Sequence, residues 1–210
     1  MRRDEILREN LLALLTGEYA RMSFDDAAQD FPLDRINENL PNSDCTPWGL
    51  LEHMRIAQED ILDFIKNPDY QEKEWPKEYW PKKGKKATPA DWKKTINDFR
   101  RDFKELENIV GSPDTDLYQS IPWGDGITIL REIVTLANHN AFHLGEFAIM
   151  RQAMRTWGEG HKPLRLSEAS QSLTPPRYDF VAKLKELKKV QKGSTRSRPR
   201  AQCCRTPILP

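Results

Sequence analysis

The sequence predicts an all-α fold, with four principal helices around one core and long connections between helices. Three observations predict it. Apolar residues recur at three- and four-residue spacing through four separate stretches, helix-start signals precede the later stretches, and no series of alternating strands appears anywhere. The chain has 210 residues, 38% hydrophobic and 31% charged, which suits one domain of ordinary size with an extension. No apolar run approaches the roughly 18 to 20 residues that cross a bilayer, so no membrane partner is expected. The opening Met1-Arg2-Arg3-Asp4-Glu5 leads into charges mixed with leucines, not the unbroken apolar segment of a secretory signal. Cys45, Cys203 and Cys204 do not make a disulfide framework, and a reduced, cytoplasmic protein is expected.

From Asp4 to Thr16 the residues Ile6, Leu7, Leu11, Leu12, Leu14 and Leu15 mark an amphipathic helix, and Gly17 suits the left-handed position that ends one. Ser23, with Asp26 three places on, resembles a capping box for a short second piece closed by Phe31-Pro32. Thr46-Pro47 is a helix start, because threonine caps and proline at the first position loses nothing by lacking its N–H. Leu50, Leu51, Met54, Ile56, Ala57, Ile61, Leu62, Phe64 and Ile65 then give a broad buried face until Asn67-Pro68 ends it. Residues 67–87 form a long connection carrying Tyr70, Trp75, Tyr79 and Trp80, and connections of that length usually cover or bind something. Thr88-Pro89-Ala90-Asp91 repeats the start signal, and Trp92, Ile96, Phe99, Phe103, Leu106 and Val110 follow helical spacing to Gly111. After a polar loop from Ser112 to Gly126, a last helix is predicted from about Thr128 to Trp157, with Gly158 as its stop.

The composition changes beyond that point. Residues 1–158 are read as the helical domain, 159–192 as an extension with a short amphipathic helix over Asp179–Lys192, and 193–210 as a disordered basic tail. The net charge of +1 hides an asymmetry: from Arg177 onward there are ten basic and two acidic residues, against 23 and 30 before it. An acidic body repels nucleic acid, and the tail lacks interleaved aromatics or a base-reading motif, so no specific nucleic-acid partner is expected.

Three of the four histidines, His53, His139 and His143, fall on core-facing positions of predicted helices. His139 and His143 are four apart and share one helix face. Three neutral imidazoles can hold a divalent metal and leave a position open, as in a catalytic rather than a closed structural zinc site. Nickel, ferrous iron, manganese and cobalt accept imidazole too, so ligand type does not name the metal. The competing reading is three hydrogen-bonded core histidines. The segment His139-Asn140-Ala141-Phe142-His143 lacks the glutamate of H-E-x-x-H metalloproteases, and no Glu-x-x-His repeat of the di-iron type is present.

The pieces Thr46-Pro47-Trp48-Gly49-Leu50-Leu51-Glu52-His53-Met54-Arg55-Ile56-Ala57-Gln58, Tyr79-Trp80-Pro81 and Asn138-His139-Asn140-Ala141-Phe142-His143-Leu144-Gly145-Glu146 resemble the DinB-like superfamily of bacterial proteins over roughly residues 1–158. That resemblance implies a four-helix bundle, a homodimer, and a divalent metal on His53, His139 and His143, zinc or nickel first and iron or manganese next. Among such proteins are thiol-dependent transferases and isomerases, a hydrolase-like resistance protein and many without known activity. The activity expected here is metal-dependent transfer of a low-molecular-weight thiol to a small electrophile. A metal-dependent hydrolase and a non-enzymatic stress-response protein acting as a dimer are the alternatives. Glu146, three residues past His143, is a candidate base or partner of a ligand, and Glu52 and Asp60 are weaker ones. The aromatics of 70–80 are read as a packed cover over one end of the core, or else as a lid on the site.

Overall fold

Four threonine and serine caps set where the chain turns into helix. The computed structural model describes residues 3–18, 22–40 and 45–158, and contains α1 (Arg3–Thr16), α2 (Phe24–Ala28), a 3-10 turn (Leu33–Arg35), α3 (Pro47–Lys66), α4 (Pro89–Gly111) and α5 (Ile129–Met154). Ser23, Thr46, Thr88 and Thr128 each accept a backbone N–H of the first helical turn, and Ser23 and Thr88 complete capping boxes with Asp26 and Asp91. Gly17 closes α1 at φ 78°, the left-handed conformation only glycine adopts freely. Among the described residues there is no strand, only an isolated bridge between Ser120 and Thr128. The chain divides after His161, and every described residue belongs to the first unit. The proposed helix at 179–192 and the tail from 193 lie outside the described residues.

α3 packs against both α4 and α5, α1 against α4 and α5, and α2 against α5. The core has two clusters. One gathers Trp48, Leu51, Met54, Trp92, Phe99 and Phe147 with the α2 residues Phe24 and Ala27. The other joins Leu11, Leu15, Leu106, Val110, Leu117, Ile133 and Leu136. Each such side chain taken fully out of water contributes about 1.5–3 kcal/mol, so the clusters are what hold the helices together.

Two expectations need correction, and two arginines are found buried where none was expected. α5 stops at Met154, not Trp157: Arg155 takes φ 54°, Thr156 donates its N–H to Arg151 O at 3.0 Å, and the Arg151 guanidinium binds Thr156 O. A side-chain network therefore ends the helix before Gly158 is reached. Ile6 and Leu14, placed on the apolar face of the first helix, are each 45% exposed, as is Val134 in α5. Conversely, Arg8 and Arg151 are buried, at 8% and 1% exposure. Each guanidinium satisfies three loop or helix-end carbonyls, Val110, Ser112 and Thr115 for Arg8 and Ala27, Gln29 and Thr156 for Arg151.

Candidate metal centre

The cap at Thr46 phases α3 so that His53 falls on its buried stripe, between Leu50 and Ala57, where it is 1% exposed. α5 places His139 and His143 one turn apart on the face toward α3. Residues some ninety positions apart thereby meet: His53 Nε2 lies 3.1 Å from His139 Nε2 and 3.2 Å from His143 Nε2. One ligand atom from each histidine falls within 4.8 Å of the others, an arrangement that can hold a metal ion.

The outward ring nitrogens fix which atoms carry protons. His53 Nδ1 donates to the Tyr79 carbonyl at 2.8 Å, and His143 Nδ1 donates to Glu146 Oε2 at 2.7 Å. Both acceptors lack a proton to give, so both rings hold theirs on Nδ1 and present bare Nε2 lone pairs to each other. His139 Nδ1 has Asn140 Oδ1 at 3.5 Å, and Asn140 Nδ2 points to Gln58, which in turn binds the Phe99 carbonyl. Ligating histidines are commonly oriented in this way by acceptors on their second nitrogen.

This geometry fits a cation. Lone pairs 3.2 Å apart repel and cannot hydrogen-bond. Tetrahedral ligands at a zinc–nitrogen distance of about 2.0–2.1 Å lie about 3.3–3.4 Å apart, close to the separation of His53 Nε2 from each of the other two. Burial, and then the charge each ring would place beside its neighbours, brings the His139 pKa down to about 4. Burial and His53 bring the His143 pKa to about 4 as well, and burial lowers His53 too. All three are therefore neutral donors at neutral pH.

The rim belongs to the 67–87 connection and to α5. Trp80 stacks flat on His53, ring centroids 4.0 Å apart and planes within 1°. Tyr79 supplies the carbonyl to His53 and gives its hydroxyl to Asp60. The expected cover is thus partly found, yet Trp75 is 65% exposed, with its ring 6.4 Å from that of His53. Phe142, 62% exposed, stands on the α5 side, 5.1 Å from the His143 ring.

Of the acidic candidates, Glu146 reaches the site through His143, and burial raises its carboxyl pKa against the opposing pull of His53. Glu52 does not reach it: Arg55 and Thr95 hold its carboxylate on the α4 side. Cys45 is no ready nucleophile, since burial and the Glu146 charge push its thiol up to about 12. His161, Cys203 and Cys204 lie outside the described residues. Sequence reasoning gave no role to Asn140 and Gln58, whose only signal was a polar residue on an otherwise apolar stripe.

Among the described residues no helix is long and apolar enough to cross a membrane. No family model, curated protein or solved structure matches this chain.

Proposed function

We propose that His53, His139 and His143 hold one divalent metal ion, zinc or nickel in the first instance, within a four-helix bundle of DinB-like type. The site then acts on a small molecule, transferring a low-molecular-weight thiol to an electrophile. The observation that carries the metal reading is the convergence of three Nε2 atoms, those of His53 and His143 bare and 3.2 Å apart because their outer nitrogens donate to Tyr79 and Glu146, with His139 Nε2 3.1 Å from His53. When bound, such an ion supplies positive charge beside an open position, which lowers the pKa of a thiol that shares it.

The chain's own residues do the rest. The Tyr79 carbonyl and the Glu146 carboxylate keep the Nδ1 protons in place and the Nε2 atoms aimed inward. Trp80 covers one face of His53 and keeps water from it. Exposed Trp75 and Phe142 flank the histidines and offer apolar contact to a small electrophile. A homodimer is part of this reading, and the exposed Val134 and Ile149 on one face of α5 support it.

The test is metal content per chain after purification without a histidine tag, for the wild type and for His143→Ala, followed by thiol consumption with a panel of electrophiles. About one equivalent of metal, lost in a variant that still folds, supports the site. Thiol consumption above the spontaneous rate supports transfer, whereas hydrolysis without thiol points to a hydrolase. Failure of both, with a stable dimer by light scattering, points to a non-enzymatic role. No metal in the wild type, even after reconstitution with zinc, nickel and manganese, overturns the proposal.

A further inference from the structure

Asp60 lies seven residues after His53, two turns along the same face of α3, and is 6% exposed. Buried carboxylates are costly unless donors surround them. Here three donors do so, and all come from one short stretch of the 67–87 connection: the Tyr70 hydroxyl at 3.2 Å, the Lys73 ammonium at 3.0 Å and the Tyr79 hydroxyl. Burial first, with Asp60 beside it, raises the pKa of both phenols, so they remain protonated donors.

That stretch has no helix of its own. Its backbone bonds at this point are local turns, Tyr70 N to Asn67 O, Glu78 N to Glu74 O and Tyr79 N to Pro76 O. Its position on the body is therefore set by side chains. Tyr79 is tied at both ends, its hydroxyl on Asp60 and its carbonyl on His53 Nδ1, and Trp80 next to it lies flat on the His53 ring. Glu146 gives His143 an acceptor from the same helix, one turn on. His53 instead takes its acceptor from a segment whose Tyr70, Lys73 and Tyr79 side chains are gathered by Asp60.

We infer that Asp60 is the positioning residue of the histidine site: by clamping Tyr70, Lys73 and Tyr79, it holds the Tyr79 carbonyl and Trp80 against His53 and so sets the affinity of the site for metal. The inference rests on the metal reading above. Without the clamp, His53 loses its Nδ1 acceptor and its stacked cover, and its ring is free to turn Nε2 away from His139 and His143.

The experiment uses the full chain and measures zinc affinity by chelator competition, the visible spectrum with cobalt(II), and thermal stability of the metal-free protein. Asp60→Ala is expected to weaken zinc binding about 10–100-fold, the usual cost of losing an outer partner of a ligand, and to alter the cobalt spectrum. Asp60→Asn, which keeps an acceptor for Tyr79, recovers part of the affinity. Tyr79→Phe, which keeps the carbonyl and the ring, loses several-fold, on the order of the lower end of that range. Leu106→Ala destabilises the distant core cluster and leaves zinc affinity as in the wild type, which separates positioning from stability. If Asp60→Ala fails to fold, Tyr79→Phe decides. Wild-type affinity and spectrum in the folded Asp60 and Tyr79 variants overturn this inference alone. Absence of zinc binding in the wild type overturns the metal reading and the inference with it.

Discussion

Two kinds of buried or half-buried basic side chain sit in this molecule, and they are wired in opposite ways. The terminal nitrogens of Arg8 and Arg151 donate to backbone carbonyls where loops meet helices, Arg8 Nε donates to Asp4, and Arg151, whose Nε is buried without a hydrogen-bond partner, lies against the Trp157 ring at 3.9 Å. Their polar groups point at partners that the fold left open. His53, His139 and His143 are satisfied only on their outer side, while their inner nitrogens point at one another. A buried group whose hydrogen bonds close within the chain holds the fold. Groups that converge on each other with bare lone pairs are arranged for something the chain does not itself contain.

Substitutions at the two kinds of site should have opposite effects on stability and on metal. His143→Ala is expected to abolish stoichiometric metal, read by elemental analysis, while the metal-free protein stays within about 1 kcal/mol of wild type, because it removes a strained contact. Retained metal with lost stability would make the histidines structural. Arg151→Ala is expected to do the reverse: chemical denaturation should show a loss of about 3–5 kcal/mol, since two buried carbonyls and a part-buried one lose their donor, with metal affinity unchanged in the folded fraction.

Acid sharpens the contrast. Free histidine titrates at 6.5, and His139 and His143 at about 4 in the fold. Between those values the unfolded chain takes up protons that the folded chain does not, so stability of the metal-free protein falls as pH drops from about 6.5 to 4 and the loss is complete below that. Denaturation curves across that interval should fall less steeply for His139→Asn. The smallest effect concerns a cap: Thr88→Ala is expected to cost about 1 kcal/mol at the start of α4, and to leave metal binding alone.

Much of the fold was legible because its signals are local. Thr46-Pro47, Thr88-Pro89 with Asp91, and Ser23 with Asp26 act within one helical turn, and the helices start where these residues stand. The four-residue spacing of His139 and His143 is local too, so their shared face was readable, and His53 was readable from its place on an apolar stripe. Other features were not. Charged Arg8 and Arg151 carry no sequence mark of burial, because their carbonyl partners lie up to 124 positions away. Trp75 and Trp80 look alike in sequence, yet one is 65% exposed and the other is stacked on a histidine. Asp60 reads as a weaker candidate beside His53, and its three donors appear only when the 67–87 connection folds onto it.

By itself, then, the sequence determined where helices begin, which faces are apolar and which three side chains face inward, since capping and periodicity need only neighbours along the chain. Tertiary structure alone decided that those histidines meet at 3.1–3.2 Å, that Tyr79 and Trp80 close over one of them, and that an arginine rather than Gly158 ends α5. Those outcomes depend on which distant surfaces pack together, and packing is settled by the shape and unpaired polar groups of the assembled helices, which no local stretch of sequence contains.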